Sequence, residues 1–319
     1  MIKKNLAPIF ALILIIIFFI QPNIVRAGAI SGITLWYSKI LPVLFPMFIL
    51  SNILLQYSFL YDVLEKVSSL SKRLLGSSFA AIPFIIGVIS GYPSGAFSAD
   101  LMIKSNRISK SEANYLLSFT NLCSFQFISA VIVMSMLKDT SFLLYLVLPH
   151  YIGAIVLSKF MKKDFTSVRK AKKESLIKTI SFNEAFSNAI SKSVISILTV
   201  AGVIVIFSIL SEYIMSIIFI DDVNSGIATA SPFKQIIVAI FTGVLELTNG
   251  CNIACSSSLP IEVKIIILNF LISFSGFSII FQTISVCNNL EINILEYIKV
   301  KFVHGIISSL IAVIMLLII

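Results

Sequence analysis

Charged residues are scarce in this chain of 319 amino acids: only 12% are Asp, Glu, Lys or Arg, whereas 58% are hydrophobic. Soluble domains carry about 25% charged residues. With a mean hydropathy of +1.02, the chain has too few polar residues to cover a water-soluble fold, which excludes a soluble enzyme and a nucleic-acid-binding module. The net charge of +9 is better explained by basic loops on the cytoplasmic side of a membrane than by a phosphate-binding surface.

Cysteine is also rare, and its four positions form no disulfide framework. All four cysteines lie in apolar or small-residue stretches, which is typical of buried, packed thiols. Cys251 and Cys255 are four residues apart and can share a helix face. Together with Cys123 they therefore stay open as weak candidate ligands for a soft metal, although we expect no bound metal.

The motifs of hydrolases, metalloproteases and ATP-driven pumps are missing. The two histidines, His150 and His304, are far apart in the sequence at predicted helix ends, and no HExxH motif or P-loop occurs. The run from Gly91 to Gly95 does not match the G-x-S-x-G pattern. We therefore expect a protein that is not an enzyme and has no cofactor.

Long apolar runs are what the chain does contain, and they predict a membrane protein that crosses the lipid bilayer several times. The runs cover residues 6–20, 41–57, 79–90, 115–137, 142–159, 194–215, 233–247, 263–286 and 302–319. The first run follows Lys3 and Lys4 and resembles a secretory signal. Because so hydrophobic a protein needs no cleaved signal, we interpret residues 1–26 as a retained anchor helix.

Two of these runs are too short to cross the membrane. The runs 79–90 and 233–247 would extend about 18 and 23 Å as helices, against a hydrocarbon core of about 30 Å. Each is followed by helix-breaking residues, at 90–95 and at 248–250. A short helix that ends in a polar turn inside the membrane is typical of a re-entrant hairpin, buried in protein or beside a watery cavity.

An internal repeat connects these two short runs. Each is followed by a span that contains a polar interruption, and 23 residues separate Gly95 from Ser118 as well as Gly250 from Ser273. Both interruptions open with a Ser-Phe pair. The spacing predicts two copies of one structural unit, at residues 27–160 and 178–319.

The stretch 159–178 between the two copies is strongly basic, and we place it and the N-terminus in the cytoplasm. Residues 161–177 then form a cytoplasmic linker. When both short runs are re-entrant, most other basic residues also fall in cytoplasmic loops. Lys299 and Lys301 are among these predicted loop residues. The first hairpin would then enter from the cytoplasm and the second from outside. We therefore predict an all-α polytopic membrane protein with two inverted repeats, re-entrant hairpins and discontinuous helices, a plan typical of secondary transporters.

Several motifs resemble the sporulation integral membrane proteins of the YlbJ type. The motifs are 32–36, 41–48, Ser90-Gly91-Tyr92-Pro93-Ser94-Gly95, Ser109-x-x-Glu112-Ala113, 117–121, 246–250 and 273–278. That family is similar in turn to the nucleoside-recognition (Gate) domains of nucleoside transporters and ferrous-iron permeases. The resemblance implies two Gate-like repeats, a location in the cell (inner) membrane of a sporulating cell, and a role in spore cortex formation.

Glu246 is the first candidate site residue. It lies inside an apolar run, and a carboxylate at that depth costs a few kcal/mol on insertion scales. It would bind a coupling proton or cation, or a ligand. The alternatives are that Glu246 caps the second arm of its hairpin or faces an aqueous vestibule. Asp100, by contrast, is interpreted as a surface partner of Lys104.

Uncharged polar and small residues at both hairpin turns and both interruptions complete the candidate site. They provide neutral hydrogen-bonding groups of the kind that a nucleoside-like solute requires, but Ser, Thr and Gly also let membrane helices pack closely without a ligand. These residues are Pro93, Ser94, Gly95, Thr120, Asn121, Ser124, Gln126, Thr248, Asn249, Gly250, Ser273, Ser275, Gly276, Ser278 and Gln282.

The sequence thus favours a transporter or permease of a small polar solute, with a coupling proton or cation. A second hypothesis is a non-transporting scaffold that recruits other sporulation membrane proteins for cortex assembly. A soft-metal permease is a third and weaker hypothesis. Besides the lipid bilayer, the expected partners are the solute and those membrane proteins, and no nucleic acid is expected.

Overall fold

The computed structural model describes residues 2–54, 56–57, 59, 63, 66–104, 106–161, 181–218, 230–287 and 289–318. Within these ranges the regular structure is helical and includes no strand. The α-helices are α1 (Ile2–Ile20), α2 (Pro22–Leu35), α3 (Leu41–Leu54), α4 (Ser68–Leu75), α5 (Ala81–Ser90), α6 (Ser94–Lys104), α7 (Lys110–Thr120), α8 (Leu143–Phe160), α9 (Phe182–Ile218), α10 (Pro232–Leu245), α11 (Leu247–Ser256), α12 (Ile261–Phe274), α13 (Gly276–Val286) and α14 (Ile294–Ile318). Trp36–Ile40 and Phe127–Leu137 are π-helical, and Thr140–Phe142 forms a 3-10 turn.

Five helical stretches in the described part of the chain are long and apolar enough to cross a membrane. They are Pro22–Leu54, Thr140–Phe160, Phe182–Ser216, Ile261–Val286 and Ile294–Ile318. The prediction of an all-α, multi-pass membrane protein is confirmed. Most of the predicted basic linker, residues 162–177, lies outside the described ranges.

Three spans begin earlier than the apolar runs predict. The run at 41–57 belongs to a stretch that starts at Pro22, and the runs at 194–215 and 302–319 belong to helices that start at Phe182 and Ile294. The predicted runs start after the basic residues Lys39, Lys192 and Lys301, but in the structure these residues lie within the helical stretches. Lys299 and Lys301 were therefore wrongly assigned to a loop, because both lie in α14.

The two short helices, α5 and α10, are as short as predicted, with 10 and 14 residues. The first is followed by a turn at Gly91–Pro93 and by α6. The predicted position of the second turn, at 248–250, is wrong: these residues lie in α11, and the helix breaks at Glu246. Glu246 has extended backbone angles (φ −140°, ψ 115°), and its side chain accepts a hydrogen bond from the backbone N–H of Asn249, which caps α11.

Both predicted interruptions are real helix breaks. Residues 121–124 separate α7 from the π-helix Phe127–Leu137. In the second half the break is narrower, because Ser275 and Gly276 adopt left-handed backbone angles (φ 72° and 75°) between α12 and α13. Each half therefore runs through a pair of short helices, a broken helix and a long helix.

The two halves exchange helix contacts across a shared core. The long helix α8 of the first half packs on α12 and α14, while α14 also contacts α7. The short helix pairs α5–α6 and α10–α11, called the first and second hairpins below, also contact the other half: α11 contacts the π-helix Phe127–Leu137, and α6 contacts α13. The helices α2 and α3 pack on α9. The broken helices thus lie at the interface between the halves.

Glycines set the distance between the packed arms. A Cβ atom at Gly250 would lie 2.1 Å from the Cα atom of Gly243 in the other arm of the second hairpin. In the first half, a Cβ atom at Gly95 would lie 2.1 Å from the carbonyl oxygen of Thr120, and one at Gly87 would lie 2.2 Å from the same oxygen. Only glycine permits such backbone contacts.

We predict that Gly250→Ala destabilises the fold, because the new methyl group meets backbone atoms that cannot move aside. Overpacking of this kind costs about 2 kcal/mol or more, and we expect the thermal midpoint of the purified protein to fall by about 5 °C or more. Gly202→Ala is the matched control, because nothing lies within 4 Å of a Cβ atom at that helical position. Equal midpoints for the two variants would contradict this packing.

Candidate functional site

A small cavity lies where both hairpins and both broken helices meet. Its volume is about 40 Å³, which is room for about three water molecules. Two helices, α3 and α9, provide its apolar walls. The lining residues are Ile40, Leu44, Ser90, Gly91, Tyr92, Cys123, Ser124, Phe127, Val200, Ile204, Glu246, Leu247, Thr248, Ile279 and Gln282.

Glu246 lines this cavity and is 1% exposed. Its Oε2 atom accepts a hydrogen bond of 2.7 Å from the backbone N–H of Asn249, and Thr248 also hydrogen-bonds to the carboxylate. The carboxylate lies at the N-terminus of α11, where the helix dipole stabilises negative charge. The residue therefore caps its hairpin arm and faces the cavity at the same time. A role in ligand or cation binding stays a prediction.

The other candidates of the second hairpin differ in position. Thr248 lines the cavity. The side chain of Asn249 instead donates to Oγ of Ser208 in α9 at 2.5 Å, which holds the hairpin against the long helix. Gly250 is a packing residue, as its contact with Gly243 shows.

In the first hairpin, the cavity is lined by the residues just before the predicted ones. Ser90, Gly91 and Tyr92 lie at the cavity, and Pro93 follows Tyr92 through a cis peptide bond. Pro93 and Ser94 line a second cavity instead.

This second cavity has a volume of about 260 Å³ and is lined in part by Lys192. It lies one helical turn along the same helices that line the central cavity. The corresponding pairs, central cavity first, are Leu44 and Phe48 on α3, Val200 and Ser196 on α9, and Gln282 and Val286 on α13. Because residues four apart lie on one helix face, the two cavities are neighbours along these helices.

A buried network of hydrogen bonds connects the first helix break to side chains of the second half. The side-chain amide of Asn121 donates to Thr283 Oγ1 at 2.8 Å and to Tyr297 Oη at 2.7 Å. The ammonium group of Lys301 donates to the backbone carbonyl of Asn121 at 3.0 Å. Thr283, Tyr297 and Lys301 all belong to the second half of the chain, so these bonds join the halves at a point where the helix leaves backbone groups free.

The remaining candidates of the first break serve the local backbone. Thr120 donates from its hydroxyl to the carbonyl of Leu116. Ser124 lines the cavity and accepts from the N–H of Phe127 at 3.1 Å. Gln126 is only partly buried and is not among the cavity residues.

The second break is joined to the first through the two histidines, which the sequence places far apart. The backbone N–H of Cys123 donates to His150 Nε2 at 3.1 Å, so Nδ1 of this ring carries the proton in the neutral form and donates to Ser273 Oγ at 2.8 Å. Ser273 donates in turn to Ser308 at 2.9 Å. His304 stacks on His150 with ring centroids 5.1 Å apart.

Other residues of the second break shape the backbone or face buried space. Ser275 and Gly276 provide the left-handed turn, and a Cβ atom at Gly276 would lie 2.8 Å from the carbonyl oxygen of Gly243. Ser278 is fully buried, and its hydroxyl has no hydrogen-bond partner among the described residues. Gln282 reaches the central cavity.

Asp100 and Glu112 are buried carboxylates with structural partners. The prediction that Asp100 is a surface partner of Lys104 is wrong, because Asp100 accepts two hydrogen bonds of 2.8 Å from Asn289 and is 2% exposed. At the start of α7, outside the candidate spans, Glu112 accepts from Ser77 at 2.5 Å. Burial raises the pKa of the Glu112 carboxyl above its usual value, and the hydrogen bond from Ser77 opposes this shift.

All four cysteines are buried free thiols. Cys123 lines the central cavity, whereas Cys251 and Cys255 lie in α11 outside its lining. In the described part of the chain, no three His, Cys, Asp or Glu side chains are grouped so that they could hold a metal ion.

Lys301, His150, His304 and Tyr92 are the parts of this centre that sequence reasoning missed. A signal for Lys301 existed, since an ionisable residue within a membrane span marks a functional site by default. The apolar run that begins at Phe302 excluded it from the span. The histidine pair had no such signal, because only the packing of α8 on α14 brings the two rings together.

The chain is similar to the sporulation integral membrane protein YlbJ of Bacillus subtilis (strain 168). The two are 25% identical over 306 residues, which covers 88% of this chain and 74% of the relative. No protein-family model and no solved structure matches the chain.

We predict that replacing Cys251 and Cys255 together by alanine leaves the metal content of the purified protein unchanged, because both thiols act as packed small groups. Elemental mass spectrometry of wild type and double variant measures this content. Cys287→Ala, which changes a buried cysteine outside α11, is the control. A stoichiometric soft metal that is present in the wild type and lost only in the double variant would support the metal hypothesis instead.

Proposed function

We propose that this protein is a sporulation membrane protein that carries a small polar solute across the cell membrane and supports spore cortex formation. One observation carries the proposal: two pairs of short helices and two broken helices meet inside a multi-pass bundle at a mostly apolar cavity that a buried carboxylate, Glu246, also lines. Irregular backbone is tolerated at membrane depth where it is buried in protein or lines a cavity that water can enter. The similarity to the sporulation integral membrane protein YlbJ supports the cellular role.

Within this proposal, the two halves are inverted Gate-like repeats and α5–α6 and α10–α11 are re-entrant hairpins. The helices α5 and α10, with 10 and 14 residues, extend about 15 and 21 Å, too little for a hydrocarbon core of about 30 Å. The matching order of helices and the reciprocal contacts between the halves also support a repeat.

The proposed cycle alternates the side from which the cavity is reached. At about 40 Å³ the central cavity is closed to any solute larger than a few waters. The second cavity, of about 260 Å³, begins one helical turn away and would be the approach from the side of Lys192. Rocking of one half against the other would open a passage from the second cavity, lined by Pro93, to the central cavity, lined by Tyr92. Neutral groups such as Thr248 and Gln282 suit a nucleoside-like solute, with Glu246 as the site of a coupling proton or cation.

The second candidate function is a scaffold that keeps this architecture without transport. The glycine contacts and the capping role of Glu246 fit it equally well. A buried carboxylate that lines a cavity is what favours transport, because an uncharged cap such as Ser or Asn would serve a scaffold without the cost of burying a carboxylate.

Inverted repeats predict opposite sidedness for two matching positions. Ser111 and Glu262 are exposed and lie in the first turns of the two broken helices, α7 and α12. In a variant without the native cysteines, an impermeant thiol reagent should label Glu262→Cys in intact cells and Ser111→Cys only after permeabilisation. Labelling of both in intact cells, or of neither, would contradict the inverted arrangement. Ser175 and Asn224, the obvious loop positions for such labels, lie outside the described residues.

The test of transport is Glu246→Gln. Glutamine keeps the shape and accepts the hydrogen bond from Asn249 but cannot ionise. We expect the variant to accumulate normally and to fail in the formation of heat-resistant spores, whereas Glu246→Asp retains part of the function. Glu262→Gln, an exposed carboxylate at the start of α12, is the matched control and should behave as wild type. Heat-resistant spores at wild-type frequency from Glu246→Gln would leave the residue with a capping role only and favour the scaffold.

A further inference from the structure

The single buried lysine in the described part of the chain is Lys301, which is 0% exposed. It lies seven residues after Ile294, the first residue of α14, which is about 10 Å along the helix from its start. A lysine near a helix end can extend its ammonium group to the membrane surface, but that of Lys301 points into the bundle at Asn121.

No carboxylate of the described residues forms an ion pair with Lys301. Its ammonium group donates to the carbonyl oxygen of Asn121 at 3.0 Å and lies 5.8 Å from the centre of the Tyr92 ring. An aromatic face at this distance attracts a cation. The partners of the charge are therefore a backbone dipole and a ring.

The carbonyl of Asn121 directly follows α7 at the first helix break. The C-terminal end of a helix carries partial negative charge on its free carbonyl groups. In transporters built from broken helices, such carbonyls coordinate the coupling Na⁺. Here the ammonium group of Lys301 occupies that position. The side-chain Oδ1 of Asn121 is also buried and has no partner among the described residues, so a further oxygen is present beside the carbonyl.

An anionic solute is a poorer explanation of the same lysine. Lys301 is not among the residues that line the central cavity, and it faces the ring of Tyr92, which does line it. The carboxylate that does line the cavity, Glu246, would repel an anionic solute there.

We propose that Lys301 is a tethered cation that takes the place of a mobile Na⁺ at the first helix break, and that the protein therefore works without sodium. The proposal deepens the proposed function, since it concerns the coupling ion of the same centre. Its test measures ion binding alone and needs no transport, so its failure and the failure of the carrier hypothesis are distinguishable.

The experiment compares thermal midpoints of the purified full-length protein in NaCl and in choline chloride at equal ionic strength. We expect no difference for the wild type. We expect Lys301→Ala to melt lower in choline and to regain about 3 °C or more as Na⁺ rises from 1 to 300 mM, because a bound ion stabilises the folded state by mass action. Lys301→Gln should respond in the same direction but less, because its amide replaces part of the lost hydrogen bonding.

Lys264→Ala is the matched control. Lys264 donates to the carbonyl of Cys255 at 3.0 Å, the same bond over the same distance, but the residue is only partly buried. This variant should show no difference between the two salts. A Na⁺-dependent midpoint in the wild type would overturn the proposal. So would folded Lys301 variants that do not respond to Na⁺, or variants that are lost from the membrane in both salts, because Na⁺ is expected to replace the missing ammonium group.

Discussion

Free backbone groups at a helix break have to find hydrogen-bond partners inside the membrane, and this constraint governs the centre of the protein. The hydrocarbon core contains no water that could hydrogen-bond to these groups, and each group without a partner costs several kcal/mol. The bond from Lys301 to the carbonyl of Asn121 and the bond from Cys123 to His150 meet this demand at the first break. His150 lies on α8 of the same half and Lys301 on α14 of the other half, so the first break is stabilised both within its own half and across the interface.

The same demand explains the hydrogen bonds that connect the two breaks. His150 accepts from the first break and donates to Ser273 at the second, and Ser273 donates to Ser308 on α14. A short chain of hydrogen bonds therefore joins the two breaks. Close packing at Gly243 and Gly250 keeps the second hairpin near enough for Glu246 to face the cavity. Structural and functional demands thus fall on the same residues.

The membrane class, the short helices and the positions of both breaks could be predicted from the sequence, because apolar length and helix-breaking residues act locally. The exact turn of the second hairpin could not be predicted, because the helix breaks at Glu246, whose side chain caps α11 by accepting a hydrogen bond from the N–H of Asn249. In the sequence alone, a capping carboxylate and a ligand-binding carboxylate look the same. Lys301 and the histidine pair were missed for a different reason. Their partners are about 150 to 180 residues away, and charge counting treats every lysine near an apolar run as a loop residue.

Asp100 is another residue whose partner in the other half of the chain could not be predicted from the sequence. Its nearest basic residue in the sequence suggested a surface pair with Lys104, but α6 turns the carboxylate inward to Asn289. Pairs within one turn of a helix are easy to read from sequence, whereas contacts between the two halves depend on how the whole bundle closes.

The central claim is that the polar centre serves solute movement, and the most direct test compares small-molecule contents. Untargeted metabolite profiles of sporulating cells with and without the protein should differ in at least one small polar solute, most plainly in the compartment that the carrier supplies. Restoring the wild-type protein should restore that solute. Identical profiles in cells that nevertheless fail to complete their spores would contradict transport and leave the scaffold as the better account.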